Sequence, residues 1–152
     1  MSQQVPVLRV AAKGLVVDDR GCVLIVREAS TYSEGSGVGR YQLPGGRLEA
    51  GERFEDGLCR EMREEVGLDV HPLYPVFVGE WRPIIKGEHY QIIAVFVACT
   101  AKNTVVRLSH EHDDYAWIKP EDRSTYDLMD PDWEVIDAYA QRAKTTGSTI
   151  DS

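Results

Sequence analysis

The chain has 152 residues, 43% of them hydrophobic, and a formal net charge of −8. We expect a single domain over residues 1–152, because this length supports one buried core and is too short for two. The negative charge excludes a nucleic-acid groove, which needs a positive face, and it would repel a polyphosphate that came without a divalent cation. No stretch approaches the ~20 apolar residues of a membrane span, so a cytoplasmic protein is expected.

The first predicted elements are strands. Residues 7–17 and 22–26 are rich in β-branched and aliphatic side chains, and the Asp18-Asp19-Arg20-Gly21 segment between them predicts a β-hairpin with an Asp/Gly turn. Residues 30–39 are typical of a Gly/Ser loop at the edge of a site. Residues 41–43 predict a short strand that Pro44-Gly45-Gly46 ends, because proline cannot donate to the ladder and glycine permits tight turns.

Residues 53–66 predict an amphipathic helix. Its apolar side chains recur every four residues and form one stripe, which consists of Phe54, Leu58, Met62 and Val66. Gly67 stands where a left-handed C-cap belongs, whereas Arg53 is a poor N-cap. Gly57 costs about 1 kcal/mol against alanine in mid-helix, so we expect close packing on a neighbouring backbone there.

Later segments predict three more strands and a second helix. The strands are residues 76–81, 89–99 and 114–118, and the helix is residues 131–144, opened by Asp130 as its N-cap. Residues 145–152 are expected to fray. Strands that surround one helix, followed by a closing helix, predict an α/β fold with a mixed sheet between helices.

Three glutamates lie on one side of the first predicted helix. Glu61, Glu64 and Glu65 stand at i, i+3 and i+4, where like charges repel. This acidic stripe adjoins the apolar stripe, so its carboxylates lie near the edge of the core and need a countercharge. A hard divalent cation supplies that charge, and Mg2+ is the one that commonly accompanies phosphates. A solvated acidic face is the alternative that the E-x-x-E-E pattern alone leaves open.

The same glutamates belong to a longer pattern in residues 46–68, GRLEAGERFEDGLCREMREEVGL. Written out, it is Gly-x5-Glu-x7-Arg-Glu-Met-x-Glu-Glu-x-Gly-Leu. This string resembles the signature of the Nudix hydrolases, and each fixed position of that signature is filled. The resemblance covers nearly the whole chain. It implies a Nudix-type α/β/α sandwich that binds Mg2+, or Mn2+ in its place, and hydrolyses a phosphoanhydride bond in a nucleoside diphosphate linked to another group.

The resemblance also implies which residues hold the metal. Glu61 and Glu65 would bind it, and Glu64 would assist them. Gly45, just before the pattern, matches the family position whose backbone carbonyl reaches a metal, although an ordinary turn glycine would look the same.

The remaining catalytic roles come from Arg60 and a later loop. Arg60 would order the acidic stripe by pairing with Glu64 along the helix or with Glu52 before it. Glu111, in the segment 109–117, matches an extra carboxylate of the family that acts as metal ligand or general base, and a solvated acidic loop is the alternative. Either Glu65 or Glu111 would take the proton of the attacking water.

Zinc and disulfide chemistry are not expected. His110 and His112 flank Glu111, but no thiolate or third histidine accompanies them at ligand spacing. The three cysteines contain no C-x-x-C pair and are predicted to be reduced and mostly buried; they are Cys22, Cys59 and Cys99.

The sequence identifies substrate-binding residues less specifically than it identifies the metal ligands. Arg40 and Arg82 are candidate phosphate contacts, because planar guanidinium groups suit phosphate oxygens, with a solubilising surface role as the alternative. Trp81, Tyr90 and Phe96 are candidates for stacking on a nucleobase, although aromatic residues on strands more often belong to the core.

The substrate itself is ranked and not assigned. A (deoxy)nucleoside triphosphate or an 8-oxo-purine nucleotide comes first, because the short chain resembles the compact family members that act on them. ADP-ribose or another nucleotide sugar is second, supported by Pro83 at 15 residues beyond Leu68, and diadenosine polyphosphates are third. A non-catalytic nucleotide-sensing module and an isopentenyl diphosphate isomerase are the alternatives from other classes. A homodimer formed at strand edges is the candidate assembly.

Overall fold

The computed structural model describes residues 4–30 and 37–146. The predicted loop at residues 30–39 and the predicted frayed end at 145–152 lie mostly outside these residues. In chain order the elements are β1 (Val7–Val16), β2 (Val23–Glu28), β3 (Tyr41–Gln42), β4 (Gly45–Arg47), α1 (Phe54–Val66), β5 (Val70–Trp81), β6 (Ile84–Ile85), β7 (Glu88–Ala101), β8 (His112–Ile118), a 3-10 helix (Pro120–Thr125) and α2 (Asp132–Thr146).

The strands form two sheets. The larger has the order β4-β1-β7-β5, with β6 paired to β7, and the smaller has the order β3-β2-β8. β1 and β7 run parallel over ten paired positions, while the other strand pairs are antiparallel. The predicted mixed sheet is therefore confirmed.

The predicted first hairpin is only partly correct. Its turn is present, with the Gly21 N–H donating to the Asp18 carbonyl at 3.1 Å and the Cys22 N–H donating to the Asp18 carboxylate at 2.8 Å. The strands, however, meet only at the Val17–Val23 bridge and then enter different sheets. Each of them is a central strand with a partner on both edges, so long-range pairing replaces the hairpin ladder.

The Pro44-Gly45-Gly46 segment does more than end a strand. β3 stops at Gln42, and the chain resumes as β4, which pairs with β1 so that Lys13 lies opposite Gly45. The Gly14 N–H donates to the Pro44 carbonyl at 2.8 Å and holds this crossing in place. The glycines therefore belong to the sheet that carries the site.

Alternate side chains of the central strands pack into two cores. On one face of β1, Ala11 and Leu15 contact a cluster that includes the α2 side chains Val135, Ile136 and Tyr139. On the other face, Ala12 and Val16 pack with the α1 side chains Leu58, Met62 and Val66. The period of two along a strand thus places one helix on each face of the sheet, which is the predicted α/β/α sandwich.

The first helix matches its prediction closely. It begins after Arg53, whose side chain makes no capping hydrogen bond, and it ends at Gly67 with φ of 70°. A Cβ at Gly57 would collide with the Leu48 side chain and come within 2.8 Å of the Glu52 carboxylate. Gly57 is therefore required by close packing, although its neighbours are side chains and not the expected backbone.

The second helix begins at Asp132, and the Asp130 carboxylate accepts a hydrogen bond from the Trp133 indole. All three cysteines are free as predicted, and Cys22 and Cys99 are buried. Among the residues that the structure describes, no helix is both long and apolar enough to cross a bilayer.

Candidate active site

The glutamates of α1 divide into two inner carboxylates and one outer carboxylate. Glu65 is 6% exposed, and the side chains of Glu61 and Glu64 are 12% and 60% exposed. Burial raises the pKa of Glu61, and it raises the pKa of Glu65 to about 8 although the Lys13 ammonium and the Gly45 N–H oppose this shift. The helix therefore holds two carboxylates that are costly as anions unless positive charge lies near.

Arg60 links the carboxylates around it. Its guanidinium donates two hydrogen bonds to Glu52, at 2.9 and 2.7 Å, and its Nη1 donates to Glu61 at 3.0 Å and to Glu64 at 3.1 Å. A further bond reaches the Arg47 carbonyl at 3.2 Å. Hydrogen bonding to Arg60 lowers the pKa of Glu52 to about 2. Both contacts predicted for Arg60 are present, and they fix Glu61 beside the pocket.

Two glycines let β4 pass directly over the inner carboxylates. The Gly45 N–H donates to Glu65 Oε2 at 2.7 Å. Gly45 has φ of 143°, and a Cβ there would collide with the β1 backbone. A Cβ at Gly46 would lie 2.6 Å from Glu61 Oε2. Only residues without a side chain fit between β1 and the carboxylates, so the glycines set the position of Glu61 and Glu65 under the strand.

The start of β8 completes the acidic cluster. Glu65, Glu111 and His112 each offer one ligand atom, and these atoms all lie within 4.8 Å of one another. The Ala29 N–H donates to the Glu111 carbonyl at 2.8 Å and holds this segment against β2. His112 is buried, and its Nδ1 has no hydrogen-bond partner among the described residues. Burial, together with the Lys13 charge, lowers the pKa of His112 to about 4, so its imidazole is neutral.

The cluster opens into a pocket of about 370 Å³. One part of its wall is acidic, and the other is an apolar floor made by Ala11, Ile92 and Trp81. Strand order places this floor across β1, β7 and β5, away from α1. The complete lining is Ala11, Lys13, Glu28, Gln42, Gly45, Gly46, Arg47, Glu61, Glu65, Trp81, Ile92, Glu111 and His112.

The structure brings some predicted site residues into this pocket and places others outside its lining. Glu61, Glu65, Glu111, Gly45 and Trp81 line it. Glu64 and Arg60 lie behind it and hold the acidic stripe from the outer side.

The two predicted phosphate contacts are engaged elsewhere. Arg40 donates to Asp127 at 3.2 Å and to the Leu128 carbonyl at 2.9 Å. Arg82 donates to Glu80 at 2.9 Å and is exposed. Neither side chain lines the pocket, and their role in substrate binding stays a prediction.

The three aromatic candidates separate in the same way. Trp81 lines the pocket, and Phe96 is fully buried in the core, where it meets Phe77 edge-on with ring centroids 6.2 Å apart. Tyr90 lies under the guanidinium groups of Arg9 and Arg47, at 5.9 and 5.6 Å from its ring centre.

Four polar residues of the pocket were missed by sequence reasoning, namely Lys13, Glu28, Gln42 and His112. Lys13 and Glu28 are buried, and Glu28 accepts a hydrogen bond from the Gly37 N–H at 2.6 Å. The signal that could have found Lys13 is one charge inside an otherwise apolar strand, VAAKGLVV. His112 was considered only as a zinc ligand and set aside, because no thiolate or third histidine accompanies it at ligand spacing.

Comparison with known proteins agrees with this geometry. The family model described as the NUDIX domain matches residues 7–139. A protein of Salmonella newport (strain SL254) named nucleoside triphosphatase NudI is 34% identical over 121 residues, which cover 74% of this chain and 84% of that protein. The same values hold for a protein of that name from Escherichia fergusonii.

Solved structures show the same fold at low sequence identity. The MutT protein from Methanosarcina mazei Go1 aligns with a TM-score of 0.81 at 20% identity, over 93% of this chain and 99% of that one. A MutT Nudix hydrolase from Burkholderia pseudomallei aligns with a TM-score of 0.69 at 22% identity, over 86% and 97%. With the family model matched over most of its length, the chain belongs to the Nudix family and is, as its sequence predicted, a hydrolase that acts on phosphoanhydrides.

Proposed function

We propose that this protein hydrolyses a phosphoanhydride bond of nucleoside triphosphates, including oxidised purine forms, with Mg2+ as cofactor and Mn2+ as an alternative. The observation that carries the proposal is the single pocket that joins a buried carboxylate cluster to an apolar floor containing Trp81. With a divalent cation held by the carboxylates, a triphosphate would match the first part, and a nucleobase would match the second. The relatives named nucleoside triphosphatase support the choice of substrate class.

The residues of the acidic cluster fit a hard divalent cation. Glu61, Glu65 and Glu111 supply carboxylate oxygens, which such cations prefer. The raised pKa values of Glu61 and Glu65 mark carboxylates without sufficient countercharge, and His112 adds a buried ring nitrogen without a partner. Glu61 and Glu65 would hold the cation, with Glu64 and the Gly45 carbonyl proposed to assist. When bound, the cation would neutralise phosphate charge and lower the pKa of a coordinated water.

Glu111 is the better candidate for the general base. One oxygen of Glu65 is already taken by the Gly45 N–H, and Glu65 is buried. Glu111 is half-buried and lines the pocket, and one of its carboxylate oxygens lies within 4.8 Å of a carboxylate oxygen of Glu65. In the proposed step, water attacks phosphorus while Glu111 takes its proton. The bond from that phosphorus to the bridging oxygen breaks, and the leaving phosphate keeps the electron pair.

Other side chains would position the cluster and the substrate. Arg60 holds Glu61 against the pocket through its bonds to Glu52 and Glu61, and such supporting contacts commonly affect activity by 10–100-fold. Trp81 offers a face on which a nucleobase can stack. Arg40 and Arg82 could reach a phosphate only by leaving their present partners, so we propose them as secondary contacts.

A panel of substrates tests the proposal. The purified protein is incubated with Mg2+ and each of several nucleoside triphosphates, 8-oxo-dGTP, ADP-ribose and diadenosine tetraphosphate. Chromatography measures the loss of each substrate and the nucleotide products, and released phosphate and pyrophosphate are measured beside them. We expect the triphosphates to be cleaved fastest and chelation of the metal to stop cleavage. Faster cleavage of ADP-ribose than of every triphosphate would refute the assignment. Hydrolysis in 18O-water then identifies the phosphorus that is attacked.

A further inference from the structure

The pocket contains a buried cation that the reaction scheme does not use. Lys13 lies on β1 and is 7% exposed. Its Nζ donates to Gln42 Oε1 at 3.5 Å. Within residues 4–30 and 37–146 this is its only hydrogen bond, so two of its three N–H donors lack a partner there. The carboxylates of Glu28, Glu65 and Asp132 interact with its charge without direct contact. A buried ammonium with unused donors is costly, and a ligand that accepts hydrogen bonds would remove this cost.

Gln42 offers a second unused donor beside it. An ammonium group can only donate, so the Gln42 amide atom that faces Lys13 is the oxygen. This leaves the Gln42 Nε2 group as a donor with no partner among the described residues. The Lys13–Gln42 pair therefore presents only N–H donors to the pocket, which both residues line.

The pair lies next to the apolar floor. Lys13 and Ala11 are two residues apart on β1, so they point to the same face of the sheet, at a spacing of about 7 Å. Ala11 and Ile92 are buried members of the cluster against which Trp81 packs. A flat ring that rests on this floor would bring one edge toward Lys13 and Gln42, with its phosphates directed to the carboxylates.

We propose that Lys13 and Gln42 select the nucleobase and favour bases that carry a keto oxygen at this edge over bases that carry an amino group there. The inference rests on the proposed function and names the substrate class within it. Uracil, thymine, guanine and hypoxanthine present a carbonyl oxygen that accepts hydrogen bonds from the pair. Cytosine and adenine present an amino group at the same position, and this donor would face the N–H donors of Lys13 and Gln42 without forming a hydrogen bond.

Matched substrates isolate this one chemical difference. ITP and ATP differ at C6 and its adjacent ring nitrogen, and UTP and CTP differ at C4 in the same way. The measured quantity is the ratio of kcat/KM for the keto and amino member of each pair. For the unaltered protein we expect a ratio of roughly 10–100 in favour of the keto base, the range for a hydrogen bond that involves a charged group.

Two variants separate base selection from other roles of Lys13. Lys13→Met keeps the length and apolar stem of the side chain and should bring both ratios close to one. Gln42→Glu replaces the amide donor with an acceptor that pairs with Lys13, and it should shift both ratios toward the amino bases. Lys102→Met is the matched control, because Lys102 is exposed and lies outside the pocket lining. Its ratios should equal those of the unaltered protein.

The outcomes show separately whether base selection by Lys13 and Gln42 fails and whether triphosphate hydrolysis itself fails. If no triphosphate is cleaved, the proposed function fails and the inference fails with it. If triphosphates are cleaved but the unaltered protein shows no keto preference, only the inference fails. It is also overturned if Lys13→Met lowers kcat/KM equally for all four substrates, since Lys13 would then act on the phosphates. If Lys13→Met does not fold by circular dichroism, the Gln42→Glu ratios decide.

Discussion

The two parts of the pocket are built in different ways. The carboxylate part takes Gly45, Glu61 and Glu65 from 21 consecutive residues and adds Glu111 from the segment before β8. The floor takes Trp81 and Ile92 from two paired strands, and Ala11 from a strand about 70 residues earlier in the sequence. Most of the carboxylate part is therefore defined by one stretch of sequence, whereas the floor forms only when β1 pairs with β7.

The largest loss of activity is expected when the inner carboxylate of Glu65 is removed. Glu65→Gln removes the charge and keeps the shape, and we expect kcat to fall by at least about 10²–10⁴-fold, the range for a lost proton-transfer or metal-binding group. Without metal, the melting temperature should change little at neutral pH, because burial already keeps Glu65 protonated and the amide oxygen can still accept the Gly45 N–H bond. Glu55→Gln, on the exposed first turn of the same helix, is the control with unchanged kinetics. Full activity of Glu65→Gln would show that the carboxylate part is not catalytic.

Arg60→Lys tests how the carboxylate part is held together. Lysine keeps the charge and loses the paired bonds to Glu52, so Glu61 should become less well positioned. We expect kcat/KM to fall by about 10–100-fold. Arg63→Lys is the matched control on an exposed position of the same helix. Equal activity of the two variants would contradict an ordering role for Arg60.

The pH dependence of magnesium binding tests whether Glu65 must lose its proton before the cation binds. Without metal, burial keeps Glu65 protonated up to a pKa of about 8. A cation must displace that proton, so its affinity should rise as pH increases from about 6 to 8, by up to roughly tenfold per pH unit, and binding should release protons. Titration calorimetry in buffers of different ionisation enthalpy measures both effects. In Glu65→Gln the slope should be lost, and a pH-independent affinity in the unaltered protein would exclude this coupling.

A change in the floor should affect binding more than chemistry. Trp81→Leu removes the stacking surface and leaves the carboxylates untouched, so we expect KM to rise about fivefold to tenfold while kcat changes little. Steady-state kinetics on the best triphosphate measures the two constants separately. A decrease in kcat with unchanged KM would show that the two parts of the pocket are not separable. The predicted homodimer is checked independently by light scattering.

The sequence was most informative where an element depends on its neighbours along the chain. The helix was predicted over residues 53–66, as were its Gly67 cap and the pairs of Arg60 with Glu64 and Glu52, because periodicity and short spacings are local properties. The bonds of Arg60 to Glu61 and to the Arg47 carbonyl were not predicted. The first hairpin was wrong as a pairing, because a turn motif does not report which distant strands compete for the same edges. His112 and Lys13 were missed for the same reason, since one residue in a strand does not reveal what lies across from it.

The amino-acid sequence by itself determined the reaction class and the inner carboxylates, since a complete motif within one helix and its approach loop specifies both. Which side chains share the pocket with these carboxylates depends on the tertiary structure. Pairing of β1 with β4 places Lys13 opposite Gly45, and pairing of β2 with β3 and β8 brings Gln42 and His112 to the same pocket. Burial in that shared pocket raises the pKa of Glu65 and lowers that of His112, and such shifts depend on the environment that the fold assembles around a side chain.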